Sequence, residues 1–147
     1  MHNFLVYFLF MFSIGQQYEL EFSYTQEDVK AFADITSDHN PIHLDQEFAA
    51  NTAYKKPIIH GFLGGAIFSR IFGTLFPGEG TIYLQQNLNF KRPMYVNVLY
   101  KAIITVKEVD PEKHNAVLVT EVVDLNSGKA TISGEATILN KTKIIQP

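Results

Sequence analysis

Residues 62–75, FLGGAIFSRIFGTL, constrain this chain more than any other stretch. Phe62, Leu63, Ala66, Ile67, Phe68, Ile71, Phe72 and Leu75 fit helical spacing but leave almost no polar face, and a helix apolar nearly all round has to be buried. The rest of the chain must therefore wrap around it. Glycine inside a helix costs about 1 kcal/mol against alanine, so the glycines here are expected to serve close packing or function. Gly61, Gly65, Ser69 and Phe72 fall along one face and read as a smooth stripe that something approaches closely.

The flanking sequence supplies the wrap. Tyr18, Leu20 and Phe22 alternate with polar residues as a short strand, and Thr25 with Asp28 opens a helix that should run to about Ser37. After Pro77-Gly-Glu-Gly80 the period drops to two. One strand is expected over residues 82–90, ended by Lys91-Arg-Pro93, and others over 98–106, 115–123 and 129–139, separated by Asp110-Pro-Glu-Lys113 and Asn126-Ser-Gly128 turns. Early helices followed by an antiparallel meander give an α+β class. A long antiparallel sheet around one buried helix is the hot-dog arrangement, here expected as a single domain over residues 14–147.

With 46% hydrophobic and 18% charged residues, the chain has material for one core and no sign of disorder. Its net charge of −3 argues against a nucleic-acid partner. The absence of cysteine excludes disulfides, thiolate nucleophiles and cysteine metal sites, and suits a cytoplasmic location. Residues 1–13 stand apart as an apolar N-terminal extension. The run 4–12 is far short of the roughly 20 residues that span a bilayer, and neither a preceding basic residue nor a clear cleavage site marks a signal peptide. A signal-like leader, an apolar arm packed on the domain or a partner, and an upstream extension of the reading frame are the readings left open; a membrane role is disfavoured.

The stretch 37-SDHNPIH-43 concentrates proton-handling groups. On a continuous helix Asp38 and His43 would point about 140° apart. Pro41 biases Asn40 towards extended backbone, so a turn at Asn40-Pro41 is expected to bring the two together. An aspartate beside a histidine suits general acid–base catalysis, with Asn40 holding a water. The same residues are also good turn chemistry, Asp38 and Asn40 closing Asx-turns with His43 as a satisfied partner. A metal set of Asp38, His39 and His43 lacks a fourth ligand, and neither metal nor other cofactor is expected.

The segment 33-ADITSDHNPIHLDQEFAANTAYKKPIIHGFLGGAIFSRIFG-73, with 79-EGTIYLQQNLNFKRPMYVN-97 and 134-GEATI-138, resembles the R-specific enoyl-CoA hydratases, the hydratase 2 or MaoC-like dehydratase family. The order Asp-x-Asn-Pro-Ile-His, an acidic-apolar helix, then His-Gly at the central helix carries the resemblance, which covers nearly everything after Ile14. It implies a hydro-lyase acting on an acyl-CoA or acyl-carrier-protein thioester. Asp38 and His43 would be the catalytic pair, Asn40 would position water, and the Gly61 backbone amide would receive the thioester oxygen. Gly65, Ser69 and Phe72 would lie towards the acyl chain, although a Ser69 hydroxyl bonded back to residue 65 is an equally simple reading, and an aromatic residue at helical spacing such as Phe72 is ordinarily plain core.

The resemblance also implies a homodimer. Lys55, Lys56, Lys91 and Arg92 are candidates for the carrier's phosphates, against the ordinary role of solvated basic pairs. His60 reads as structural at the helix entrance, and His2 and His114 as surface residues. The rival activities are thioester hydrolysis on the same fold and non-catalytic thioester binding. His39 departs from the family pattern, which often has an aromatic or small polar residue there.

Overall fold

The computed structural model describes residues 12–146. Strand β1 (Gln17–Phe22) leads into α1 (Gln26–Thr36), then the short helices α2 (Pro41–Leu44) and α3 (Gln46–Ala50). The central helical segment follows as α4 (Gly61–Gly65), α5 (Ile67–Arg70) and a wider π turn (Ile71–Leu75). Strands β2 (Ile82–Gln86), β3 (Asn89–Phe90), β4 (Tyr100–Asp110), β5 (Asn115–Asp124) and β6 (Ala130–Leu139) complete the order. All six strands form one sheet, ordered β1-β4-β5-β6-β2, with β3 also on β6. Its pairings are antiparallel, from Phe22↔Tyr100 at one side to Ile82↔Leu139 at the other. This is the expected α+β, hot-dog architecture.

The period-two pattern places Ile104, Val106, Leu118, Val122, Ile132 and Ile138 inside, in one apolar cluster with Phe68, Ile71 and Phe72 of the central segment. Burying each such side chain contributes about 1.5–3 kcal/mol. The capping box at α1 forms as expected: the Thr25 hydroxyl accepts from the Asp28 amide at 3.2 Å, and the Thr25 amide donates to the Asp28 carboxylate at 2.8 Å.

Three expectations change. The strand over 82–90 is two strands, because Asn87 turns out of register: its amide donates to the Glu135 carbonyl, and its side-chain oxygen accepts from the Glu135 amide. Gly134 makes room for this bend, since a Cβ there would stand 1.9 Å from the Asn87 carbonyl oxygen. The central helix is neither continuous nor buried all round. It is interrupted at Ala66, and it widens where the Phe76 amide reaches back to Ile71. Phe62 is 70% exposed, and Ala66, Ser69 and Leu75 are exposed as well. Its apolar sequence thus exceeds what this chain alone covers. Third, Pro41 does not prevent a helix but begins one, at the position where its missing amide costs nothing and its fixed φ helps.

Of the apolar extension, Phe12 packs on Phe76 at 4.9 Å between ring centroids, and Tyr18 stacks on the same ring. Residues 4–11 of that run lie outside the described residues. Among the described residues no helix is long and apolar enough to cross a membrane.

Candidate active site

Helix α1 ends in a left-handed Ser37, with φ of 63°, and the chain then makes the two Asx-turns its sequence favours. The Asn40 amide donates to the Asp38 carboxylate at 3.3 Å, and the Ile42 amide to the Asn40 side-chain oxygen at 3.2 Å. Turn chemistry and convergence therefore coexist. Asn40 spends its oxygen on capping α2, leaving only its side-chain NH2 to meet a water.

His43 rides on α2 and is 9% exposed. Its Nδ1 lies 2.8 Å from the Ile58 carbonyl, which can only accept, so Nδ1 carries the hydrogen. In the neutral ring Nε2 is then a bare acceptor. Burial pushes the His43 pKa below its ordinary value of 6.5, partly opposed by the bond to Ile58; the neighbouring His60 lowers it and Asp38 raises it. The surroundings thus favour the neutral ring.

His60, expected to be structural, stands in the same cluster. Its ring stacks on His43 with 3.8 Å between centroids, and its Nε2 lies 3.0 Å from the Asp38 carbonyl and 3.9 Å from the Asp38 carboxylate. One nitrogen or oxygen from each of Asp38, His43 and His60 lies within 4.8 Å of the others. The sequence signal was there in the His-Gly pair, but nothing local says which way the ring points. This trio does not suit a metal: imidazole lone pairs lie in the ring plane, and two stacked rings 28° from parallel do not aim at a common point. His39 turns away from the cluster to Asp34, at 3.1 Å, so the set Asp38, His39 and His43 does not converge.

Two cavities meet at this cluster. One of about 380 Å³ is lined by His43, His60, Gly61, Phe62, Phe90 and Met94, and also by Lys91 and Arg92. The other, of about 210 Å³, is lined by Phe32, Thr36 and Asp38 and shares His43, His60, Gly61 and Phe62 with the first. The Gly61 amide, in the first turn of α4, has no acceptor among the described residues.

The glycine stripe has a different explanation from the expected one. A Cβ on Gly61 would stand 2.9 Å from the Phe90 ring, one on Gly65 2.9 Å from Leu88, and one on Gly64 2.8 Å from the Met94 sulfur. The chain's own side chains make the close approach. Neither Gly65 nor Phe72 lines either cavity; Phe72 is core, edge-on to Tyr83 at 5.3 Å. Ser69 is exposed, and among the described residues its hydroxyl makes no hydrogen bond back to residue 65. Of the basic candidates, Lys56 lies over the Tyr95 ring at 5.0 Å and Arg92 donates to the Ala130 carbonyl at 2.6 Å, while Lys55 occupies an exposed left-handed turn position.

The MaoC-like domain description matches residues 11–139, nearly the whole chain. This chain belongs to the MaoC-like domain family. An (R)-specific enoyl-CoA hydratase of Aeromonas caviae is 38% identical over 125 residues, which cover 85% of this chain and 92% of that relative. A 3-hydroxyacyl-[acyl-carrier-protein] dehydratase of tomato mitochondria is 29% identical over 140 residues, 93% of this chain and 82% of the relative. Among solved structures, the A. caviae (R)-hydratase superposes with a TM-score of 0.84 at 37% identity, covering 88% of this chain and 97% of that one. An unliganded R-hydratase of Pseudomonas aeruginosa gives 0.82 at 39%, with coverage of 88% and 82%. Family membership thus agrees with the fold.

Proposed function

We propose that this protein adds water reversibly to trans-2-enoyl thioesters, giving (R)-3-hydroxyacyl thioesters, with Asp38 and His43 as the acid–base pair. The observation that carries this reading is the His43 ring, held at Nδ1 by the Ile58 carbonyl, clustered with Asp38 and His60 and lining two cavities at once. The hydratase names of the relatives supply the reaction and its stereochemistry.

In this mechanism the thioester lies across the shared wall with its carbonyl oxygen on the Gly61 amide. A water held by Asp38 and the Asn40 NH2 loses a proton to His43 Nε2 as its oxygen bonds to C3. The alkene pair moves into the enolate, whose oxygen the Gly61 amide stabilises more strongly than the starting carbonyl. The imidazolium, paired with Asp38, returns the proton to C2 on the same face. Water is consumed and nothing else is needed. The acid and base must be held together for this one-face delivery, and that is what the two Asx-turns and the Ile58 bond provide.

Lys91 and Arg92, which line the larger cavity, are assigned to the phosphates of a CoA or carrier-protein arm, with Lys55 and Lys56 as further candidates. The acyl contacts fall to Phe62 rather than to Gly65 or Phe72, whose surroundings the chain itself fills. A second copy of the chain covers the uncovered apolar surface in this reading: Ile82, Tyr83 and Leu84 on edge strand β2 are 55%, 37% and 50% exposed, and Phe62 more so. An unprotected apolar edge invites strand pairing, and an isologous dimer closes it once. Ser69 would then face the partner or the acyl chain. Light scattering should return twice 16.6 kDa. The cytoplasm is the compartment assigned, in keeping with the cysteine-free composition.

The test is the loss of enoyl absorbance with crotonyl-CoA and a longer enoyl-CoA, with chiral analysis of the product. Asp38→Asn and His43→Gln should each lower kcat by about 10²–10⁴-fold, the range for removing a general acid or base. Release of free CoA without hydration would replace this reading with thioester hydrolysis; tight binding without turnover would replace it with thioester sensing.

A further inference from the structure

We propose that His60 is a positioning residue, one buried imidazole that fixes the loop carrying Asp38 and backs the ring of His43. This rests on the acid–base pair proposed above.

Among the described residues, the other hydrogen bonds of loop 37–40 run within the loop or to its immediate flanks. The Asp38 amide donates to the Thr36 hydroxyl, the His39 amide to the Ser37 carbonyl, the Asn40 amide to the Asp38 carboxylate, and the His39 ring meets Asp34. Among the described residues, the 3.0 Å bond from His60 Nε2 to the Asp38 carbonyl is the one hydrogen bond that joins this loop to a distant part of the chain, 22 residues on. The carbonyl can only accept, so Nε2 carries a hydrogen. Without that bond, the hydrogen bonds left to the loop among the described residues are all local ones.

A second observation says that packing alone does not account for this residue. His60 is 3% exposed, packs on Phe32 at 4.9 Å and on His43 at 3.8 Å, and leaves its Nδ1 buried with no partner among the described residues. An orphaned buried nitrogen is a cost that an aromatic hydrocarbon of similar shape would not carry. Phenylalanine would fill the space and cover His43, yet would donate nothing to Asp38. What histidine adds at this position is the hydrogen bond.

His60 acts on His43 by contact. The titratable and charged groups that face the His43 ring are Asp38 from the loop and His60 from the entrance of α4, with Tyr54, Lys91 and Arg92 around the same cavity. With its Nδ1 taken by Ile58, the His43 ring is walled on one side by His60. Burial is the largest cause holding His43 below its ordinary 6.5. Removing the wall admits water and relaxes that hold.

The experiment compares wild type, His60→Phe, His60→Gln and His60→Ala in crotonyl-CoA hydration across pH, with thermal unfolding of each. His60→Phe keeps the wall and loses the donor. Its kcat should fall about 100-fold, the scale of misplacing a catalytic group by an ångström, with KM changed less than about threefold and the acid limb of kcat/KM unmoved. His60→Gln, which can donate to the same carbonyl, should recover most of that loss. His60→Ala should move the acid limb upward, towards 6.5. A merely structural histidine would lower the folded fraction without moving the limb and without rescue by glutamine.

An active wild type with a fully active His60→Phe of unchanged pH profile would overturn the proposal and leave the hydratase reading intact. An inactive wild type would instead remove the hydratase reading. Should the variants fail to fold, long-range ¹H–¹⁵N spectra of the wild type decide: a hydrogen on His60 Nε2 and on His43 Nδ1 is expected, and a bare His60 Nε2 overturns the proposal.

Discussion

Replacing Gly61 with alanine separates two reasons for a glycine beside the proposed oxyanion site. The new Cβ would meet three atoms of the Phe90 ring at 2.9, 3.0 and 3.2 Å. Ordinary contact begins at 3.4 Å, so the ring must retreat by at least 0.5 Å. Phe90 is half exposed and sits on the two-residue strand β3, so it can turn. The cost falls at the low end of the overpacking range, about 1 kcal/mol, plus part of the roughly 0.5–1.5 kcal/mol of its pairing with Phe62. A loss of about 1–2 kcal/mol lowers the Tm of a chain of this size by about 3–8 °C. Thermal unfolding of Gly61→Ala, Phe90→Ala and the double variant measures the coupling. The double variant should regain about 1 kcal/mol relative to additivity, as expected for residues in contact. Its hydration rate should match that of Phe90→Ala within about threefold, because the amide itself is unchanged and the crowding is gone. Strict additivity of the two Tm losses would refute the idea that Phe90 sets residue 61; a further hundredfold fall in rate in the double variant would hand the space to the substrate instead.

Other sites in the structure carry further predictions. Because burial holds His43 below 6.5, the acid limb of kcat/KM for crotonyl-CoA should lie below 6.5. The linked stability has a definite sign: between the folded and unfolded values the unfolded chain binds more protons, so the stability contributed by a neutral His43 is present above 6.5 and lost as pH falls towards the folded value. Urea unfolding of wild type and His43→Gln from pH 5 to 8 reads the difference, which should be steepest below 6.5 and flat above it; a difference that grows on the alkaline side would contradict the assignment. Gly134→Ala places a methyl 1.9 Å from a backbone oxygen and breaks the Asn87–Glu135 exchange. Overpacking and two lost hydrogen bonds together cost about 2–6 kcal/mol, whereas Gly73→Ala, with nothing within 4 Å, should leave Tm unchanged or raised.

What was legible in the sequence was what local chemistry decides. The capping box at Thr25, the period-two strands and the convergence of Asp38 on His43 around Pro41 all follow from residues within a few positions of one another. What was illegible depended on distant partners. The Gly61 and Gly65 stripe could be read as open to a ligand only because Phe90 and Leu88, which fill it, come from a strand region more than 20 residues later. The break at Asn87 is explained by Gly134, and His60 gains its meaning from a carbonyl 22 residues earlier. The central helix illustrates the same limit from the other side: its periodicity demands cover on every face, and this chain leaves Phe62 and Ser69 without it.

The Ile58 backbone closes a ring around the site, its amide donating to Ile42 at 3.1 Å and its carbonyl receiving His43 Nδ1 at 2.8 Å. Residues 44–57, including α3 and the Lys55-Lys56 turn, are therefore an excursion whose two ends are stitched together before and after the chemistry. Lengthening such a loop twofold costs only about 0.6 kcal/mol in closure entropy. In the proposed hydratase this makes the excursion exchangeable while its seams stay put: grafting a relative's 44–57 segment should alter KM for CoA and carrier-protein substrates while kcat holds.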